Sequence, residues 1–310
     1  MSPNFTRRDF IKSTAIVSTG LAMGAGSLSA KNYSRIMGAN DRVNFGVIGL
    51  HGRGSAHIDA IATCSNAAVS SICDVDRREL DKSKLKVEKK FGKSPKLEKD
   101  IRILLEDKDV DAITIATPEH WHTPMTLMGL QAGKHVYLEK PCSHNPAEGI
   151  MLINAQANSK FLIQMGNQQR SSVHTIEAMK KIKEGVLGEV YSGKAWYSNN
   201  RKAIGIGKVV PVPEYLDWEL WQGPAPRVAY KDIYHPYNWH WFWHWGTGET
   251  LNNGTHEVDL CLWALGMEYP KKVTASGGRY HFKDDWEFYD TLSTSYEYDN
   301  KMITWEGRSC

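Results

Sequence analysis

The chain is poor in every feature that would hold it together by something other than burial. Its 310 residues include five cysteines, Cys64, Cys73, Cys142, Cys261 and Cys310, an odd number with no C-x-x-C spacing. Neither a disulfide framework nor a cysteine zinc site is indicated. A charge excess of one sign is lacking too: the formal net charge is +3, and part of it sits in the first residues. No nucleic-acid partner is expected from so small a balance. The lysines from Lys82 to Lys99 alternate with acids and leucines, which reads as a solvated helix face. No run is apolar enough for stable membrane insertion, since the stretch from Ser13 to Leu28 is interrupted by Gly, Ser and Thr. Internal repeats are absent, as are low-complexity tracts beyond the first thirty or so residues.

Thr6-Arg7-Arg8-Asp9-Phe10-Ile11-Lys12 comes before the weakly apolar zone, and small residues follow at Ser29 and Ala30. Basic, apolar and small-residue zones in this order read as a twin-arginine signal over residues 1–30. The expectation is an exported, periplasmic protein handed to the twin-arginine export machinery. That route carries folded chains, so any nucleotide would be loaded beforehand and would have to be tightly bound.

From Val43 to Pro141 the pattern is that of a dinucleotide-binding domain. An apolar run, Val43 to Ile48, leads into Gly49-Leu50-His51-Gly52-Arg53-Gly54 and a helical stretch. Glycines at such a turn admit a pyrophosphate close to the backbone, and the helix N-terminus offers free N–H donors. The spacing G-x-G-x-x-G falls on Gly49, His51 and Gly54, with histidine in the middle place. A second apolar run, Ala67 to Cys73, ends in Asp74, close to twenty residues past the last glycine, where an acid can accept the ribose hydroxyls. Asp74 would repel a ribose phosphate, so NAD is expected before NADP, although Arg77 and Arg78 stand nearby. Further short strands end in Thr117-Pro118-Glu119-His120-Trp121-His122, in Glu139-Lys140-Pro141 and in Gly166-Asn167-Gln168-Gln169-Arg170. Strands alternating with helices imply a parallel, doubly wound sheet, which binds ligands at its carboxyl edge.

After Gly188 the texture changes. Val190–Tyr197, Val273–Ser276, Thr291–Tyr298 and Met302–Trp305 alternate as strands of an antiparallel sheet do, with one helix from about Thr255 to Leu265. The fold class expected is α/β: an N-terminal Rossmann doubly wound parallel sheet over residues 31–167, then a C-terminal α+β open-sheet domain over residues 168–310. A sheet stopping at Cys310 would leave an edge unpaired, so the native protein is expected to continue.

These features together resemble the Gfo/Idh/MocA oxidoreductase family. The residues that carry the resemblance are the Gly49 to Gly54 turn, Asp74, Thr117-Pro118 with His122, Glu139-Lys140-Pro141 and Asn252-Asn253-Gly254-Thr255-His256-Glu257-Val258-Asp259. The resemblance implies a nicotinamide cofactor held by Gly49, His51, Gly52, Arg53, Gly54, Asp74, Thr117, Pro118, His122, Glu139 and Lys140. It also implies a sugar or sugar-derivative substrate and a homo-oligomer. Lys140 takes the place of the lysine that orients substrate and cofactor, and His256 that of the histidine exchanging the hydroxyl proton. The chemistry asks for such a pair independently: alcohol oxidation sends hydride to nicotinamide and a proton to a base, with a cation near the developing alkoxide. Where a branch of the family has aspartate four residues before the histidine, this chain has Asn252, which cannot ionise. Gln169, Arg170, Trp243, Asn252 and Asp259 are candidate substrate contacts.

Asn238 to Gly248 holds four of the eleven tryptophans at period two, which in an extended segment would stack Trp239, Trp241, Trp243 and Trp245 on one face. No metal site is expected of His240, His244 and His256, for no cysteine or carboxylate joins them at ligand spacing. Gly205-Ile206-Gly207, between Lys202 and Lys208, is a candidate lid over the cofactor. The first reading is thus an NAD-dependent oxidoreductase acting on a secondary hydroxyl of a sugar or glycoside. A second is glycoside cleavage through a transient 3-keto intermediate, and a third a non-catalytic sugar- or nucleotide-binding module.

Overall fold

The computed structural model describes residues 42–310; the signal read at residues 1–30 lies outside them. β1 (Val43–Ile48), β2 (Ala67–Cys73), β3 (Lys96–Glu98), β4 (Ala112–Ile115), β5 (His135–Glu139) and β6 (Ile163–Gly166) form one sheet in the order β3-β2-β1-β4-β5-β6. All its pairings are parallel. The strands are short apolar runs because both faces are covered: Val47, Ile48, Ile72, Ile113, Ile115 and Leu138 are buried almost completely. The helices Gly52–Ile61 and Arg77–Phe91 cover one face, around Leu50, Ile58, Leu80 and Val87. The helices Ile101–Glu106, His122–Gln131 and Pro146–Ala157 cover the other. The strand order reverses between β1 and β4, the crevice where such sheets take their ligands.

The lysine-rich stretch divides into two parts. Asp76 caps the helix Arg77–Phe91 through Arg78 N, and Gly92, at φ +69°, ends it. Lys96–Glu98 then joins the sheet edge as β3, a strand too short and too charged to show in the hydrophobic pattern.

The second sheet runs β7-β10-β9-β8, from β7 (Ser192–Ser198), β8 (Lys272–Gly278), β9 (Thr291–Glu297) and β10 (Met302–Arg308). β9 is antiparallel to both neighbours, but β7 and β10 are parallel, so the all-antiparallel expectation is corrected to a mixed sheet. Period-two alternation shows which face a strand buries and carries no information about the direction of a partner far along the chain. The helix Gly254–Leu265 lies on this sheet, where Gly254 has the Trp305 ring 3.0 Å from where a Cβ would stand.

Between β7 and that helix the backbone is largely irregular. It is gathered around a cluster of Trp218, Trp221, Tyr230, Tyr234, Phe242 and Trp245, with Trp218 and Trp221 stacked at 4.6 Å. The segment 213–240 reaches back to the first sheet as a strap. Arg77 N donates to Tyr215 O (2.9 Å), Asp217 N donates to Val75 O (3.0 Å), and Lys99 pairs with Asp217 (2.7 Å). Among the described residues no helix is long and apolar enough to cross a membrane.

Candidate active site

A cavity of about 880 Å³ opens where β1, β2, β4 and β5 end, with the strap as its opposite wall. On the sheet side the glycine turn sets its shape. Gly49 has φ +77°, and a Cβ there would stand 2.6 Å from Ala116 O. At Gly54 a Cβ would stand 1.7 Å from Gly49 O, so the turn closes only with glycine at both places. His51, at the helix N-cap, makes no side-chain cap, which leaves the first N–H groups of Gly52–Ile61 to a ligand. These are the features a pyrophosphate requires, and the residues present fit a dinucleotide.

Asp74 ties this turn to the end of β2. One carboxylate oxygen accepts from Leu50 N (2.7 Å) and the other from Asp76 N (2.9 Å). Burial raises its pKa to about 6, against those backbone donors and with help from the charges of Asp76 and Glu79. Asp74, Asp76, Glu79 and Asp100 border the cavity here. The cations at the same rim are engaged: Lys99 with Asp217, Arg102 with Asp100, and Arg78 with Asp76 (2.7 Å) while lying 3.4 Å over the Tyr215 ring. A ribose phosphate would meet the carboxylates of Asp74, Asp76, Glu79 and Asp100 beside cations that are already paired, which favours NAD.

At the far end stand Lys140 and His256. Lys140 follows β5, and its Nζ donates to the backbone oxygen of Asn252 and to Asn252 Oδ1 (3.1 Å for the latter). Asn252 thus holds the lysine with neutral acceptors, which accounts for an amide in place of an acid. Burial lowers the Lys140 pKa, opposed by the carboxylates of Glu119, Glu139 and Glu249. His256 is half-buried in the first turn of Gly254–Leu265, and no side-chain hydrogen bond holds its ring among the described residues. Burial, then the Lys140 charge, lowers its pKa, keeping the imidazole neutral and able to accept a proton.

Glu139 and His122 border the cavity but are spent on structure. Glu139 accepts from Arg53 Nε (2.7 Å), from His57 Nε2 (2.9 Å) and from Gln168 (3.0 Å). Burial alone would raise its pKa; the His57 and Arg53 contacts outweigh that and hold it at about 2. His122 faces Pro141 O through Nδ1 (2.6 Å) and Thr117 O through Nε2 (3.0 Å), joining the turns after β4 and β5. Burial keeps its pKa low.

The structure therefore gathers Gly49, His51, Gly52, Arg53, Asp74, Thr117, Pro118, His122, Glu139, Lys140, Asn252 and His256 around one space. Gly54 lies beneath the turn rather than on the wall. Gln169, Arg170, Trp243 and Asp259 do not border it. Arg170 pairs bidentately with Asp259 (2.9–3.1 Å), a fastening between the stretch after β6 and the helix Gly254–Leu265. Trp243 is 58% exposed and packs on Phe288 at 3.8 Å. The tryptophan segment is not extended: Asn238–Trp241 is a 3-10 turn, closed by Phe242 N on Trp239 O (3.2 Å). Trp241 and Trp245 are buried, and of the four tryptophans only Trp239 borders the cavity. Gly205–Gly207 is no lid either; Asp285 binds it at both Gly205 O and Gly207 N, away from the cavity.

The strap takes the lid's place, through Leu220, Trp221, Gly223, His235, Tyr237 and Trp239. Trp121 Nε1 donates to Leu220 O and Trp221 O (3.1 Å each), and Gly223, at φ +53°, lets the Trp121 ring lie where a Cβ would be 2.2 Å away. The sequence reading also missed Glu119, although its place after a strand end and beside Pro118 was a signal. Glu119 is 2% exposed, and burial raises its pKa to about 8, against Thr247 and the Lys140 charge. Among the described residues no group of three or more His, Cys, Asp or Glu is arranged to hold a metal ion.

Comparison with known proteins places this geometry. A Shewanella putrefaciens protein named Glycosyl hydrolase family 109 protein is 25% identical over 211 residues, which is 63% of this chain and 46% of that protein. A Saccharopolyspora erythraea protein of the same name is 27% identical over 256 residues, 74% of this chain and 55% of the other. The chain thus spans about half the length of these curated relatives. Among solved structures, the WlbA dehydrogenase from Bordetella pertussis, in complex with NADH and UDP-GlcNAcA, superimposes with a TM-score of 0.68 at 21% identity, covering 86% of this chain and 72% of that one, a likeness of fold. The family model that matches, over residues 43–167, is the oxidoreductase family with an NAD-binding Rossmann fold. The β3-β2-β1-β4-β5-β6 sheet with its glycine turn is the part of the chain that this family model matches, an NAD-binding Rossmann fold.

Proposed function

We propose that the protein is an exported, NAD-dependent oxidoreductase acting on a secondary hydroxyl of a sugar or glycoside. The observation that carries the reading is convergence: Lys140 from the nucleotide domain and His256 from the helix on the second sheet border the cavity that the glycine turn opens. A binding module needs no such pair. When bound, NAD supplies the acceptor for the two electrons that leave the carbinol carbon. The chain's own residues do the rest. Neutral His256 accepts the hydroxyl proton on its ring nitrogen. Lys140, fixed by Asn252, places its positive charge beside the developing alkoxide. Glu139 keeps the turn before Pro141 rigid through Arg53, His57 and Gln168, so that the lysine need not reorganise. Tyr237 and Trp239 border the cavity from the strap wall, aromatic side chains suited to the C–H surface of a sugar.

The strap favours a cofactor that stays in place, and export, resting on residues 6–30, makes that an advantage where free NAD is scarce. The chain is proposed to meet the twin-arginine machinery and to form a homo-oligomer. The test is to add monosaccharides and glycosides to purified protein and follow the absorbance of its bound nicotinamide. Reduction by a sugar supports the proposal; a cofactor inert to every sugar refutes it.

Glycoside cleavage through a transient 3-keto sugar is the second reading, favoured by the name its relatives carry. Release of free sugar from an aryl glycoside without added NAD would establish it, whereas accumulation of ketosugar would exclude it.

A further inference from the structure

In the 3-10 turn Asn238–Trp241, side chains three residues apart fall on one side. Asn238 and Trp241 accordingly border one space, and Trp239 and His240 border another. The second space is the cavity described above. The first is a separate cleft of about 400 Å³, walled by residues 199–204 after β7. Its base is Trp241 stacked on Trp286 at 3.9 Å, both almost completely buried, so a ligand would meet mainly the polar rim. Tyr237 borders both spaces, so the two adjoin. A run of contacts ties this partition to the reactive end. Arg201 Nη1 donates to the Tyr237 hydroxyl (3.2 Å), Arg201 pairs with Glu249, and the Asn253 amide donates to Glu249. Asn252, next in the chain, holds Lys140 (3.1 Å).

The rim of the cleft carries polar groups that the fold does not use. Lys202 and Asn200 are exposed there, and among the described residues neither they nor the Asn238 amide has a side-chain hydrogen bond within the chain. Arg201, by contrast, is matched by Glu249 and lies 4.7 Å over the Trp241 ring. The cleft thus offers one free ammonium group and two amides, each able to donate and to accept. That set fits the hydroxyls of a neutral sugar ring; a phosphate would call for more free cations. The volume falls within the range of small-molecule sites, roughly 300–1,000 Å³.

We propose that this cleft is a second sugar subsite. With the reacting ring beside Lys140 and His256, the sugar unit joined to it by a glycosidic bond passes Tyr237 and is held by Asn200, Lys202 and Asn238. The inference rests on the carbohydrate reading above and narrows its substrate class to glycosides of two or more sugar units.

The experiment is calorimetric titration of the full chain, with its nucleotide bound, by cellobiose, maltose, lactose and diacetylchitobiose, each beside its own monosaccharides. At least one disaccharide should bind about tenfold or more tightly than either of its monosaccharides. Lys202→Ala and Asn238→Ala should each weaken that disaccharide by about two- to tenfold, the loss of one hydrogen-bonding group. Asn200→Ala with Lys202→Ala, both at exposed positions, should remove most of the gain and leave monosaccharide affinity and nucleotide content as in the wild type. Disaccharides that bind no more tightly than their monosaccharides, or a gain that survives the paired substitution, overturn the subsite. Failure of the oxidoreductase reading would appear separately, as a disaccharide that binds with the full gain, loses it in the paired variant and never reduces the nicotinamide.

Discussion

On the sheet side of the cavity, Gly49, Gly54 and Asp74 are joined by backbone contacts between neighbouring strands, and a ligand meets a surface fixed by φ angles and missing Cβ atoms. Across from them the strap is held by two backbone hydrogen bonds beside the end of β2 and otherwise by side chains and aromatic stacking, through Trp121, His120, Lys99 and Asp76. The first wall is rigid because its geometry is local. The second is assembled from parts far apart in sequence and can open only by undoing several such contacts together. Under the proposed function, cofactor fit belongs to the sheet side, and cofactor retention and substrate shape belong to the strap.

The comparison breaks most sharply at Gly54. Gly54→Ala places a methyl group 1.7 Å from Gly49 O and 2.8 Å from Gly49 C, backbone atoms that no side-chain movement can clear. The expected result is a loss of at least about 3 kcal/mol of stability, together with bound nucleotide, checked by denaturant titration and by nucleotide released on denaturation. On the strap side the largest effect should come from pH. Burial lowers His120 to about 3, and burial, opposed by Asp76, lowers His235 to about 4, both from 6.5. Their contribution is fully present above pH 6.5, because both states are then neutral. It is lost as the pH falls toward those values, since the unfolded chain takes up protons that the folded chain refuses. Stability should therefore decline steadily below pH 6.5, and His235→Asn should flatten that slope.

A smaller effect isolates retention. Gly223→Ala drives a Cβ into the Trp121 ring, 2.2 Å away, at a positive φ. Nucleotide release should accelerate about tenfold or more, equivalent to roughly 1.4 kcal/mol, with the sheet-side turn intact. Dissociation after dilution into a nucleotide scavenger measures it. The smallest effect should be at Trp243, whose exposed ring faces away from the cavity. Trp243→Ala should change stability by no more than about 0.5 kcal/mol and leave nucleotide content unaltered.

The same division explains what could be read from the sequence. The succession of β1, β2, β4, β5 and β6, the glycine turn, Asp74, Lys140 and His256 are legible because each rests on a local pattern: an apolar run, a turn, a residue at a strand or helix end. The pairing of β7 with β10 is not, since alternation has no direction. Trp239 to Trp245 misleads for a related reason. Period two suggests a strand, but the burial of Trp241 against Trp286 at 3.9 Å and of Trp245 against Trp221 at 5.0 Å winds the segment into turns. Arg170 and Asp259 look like substrate contacts until their mutual ion pair is seen. Glu119 is hidden because its burial beside Thr247 joins residues far apart in the chain.

The most direct test of the account is to separate holding the cofactor from acting on a hydroxyl, using Lys140→Ala. The variant should leave purification with the same nucleotide content per chain as the wild type, because the glycine turn, Asp74 and the strap are untouched. When the sugar that reduces the wild-type nicotinamide is added, its rate of reduction should be lower by about 10²–10³-fold, the loss of one charge aimed at an alkoxide. A variant that holds nucleotide and reduces it at the wild-type rate would contradict the role of Lys140 and the assignment of this cavity as the place of reaction.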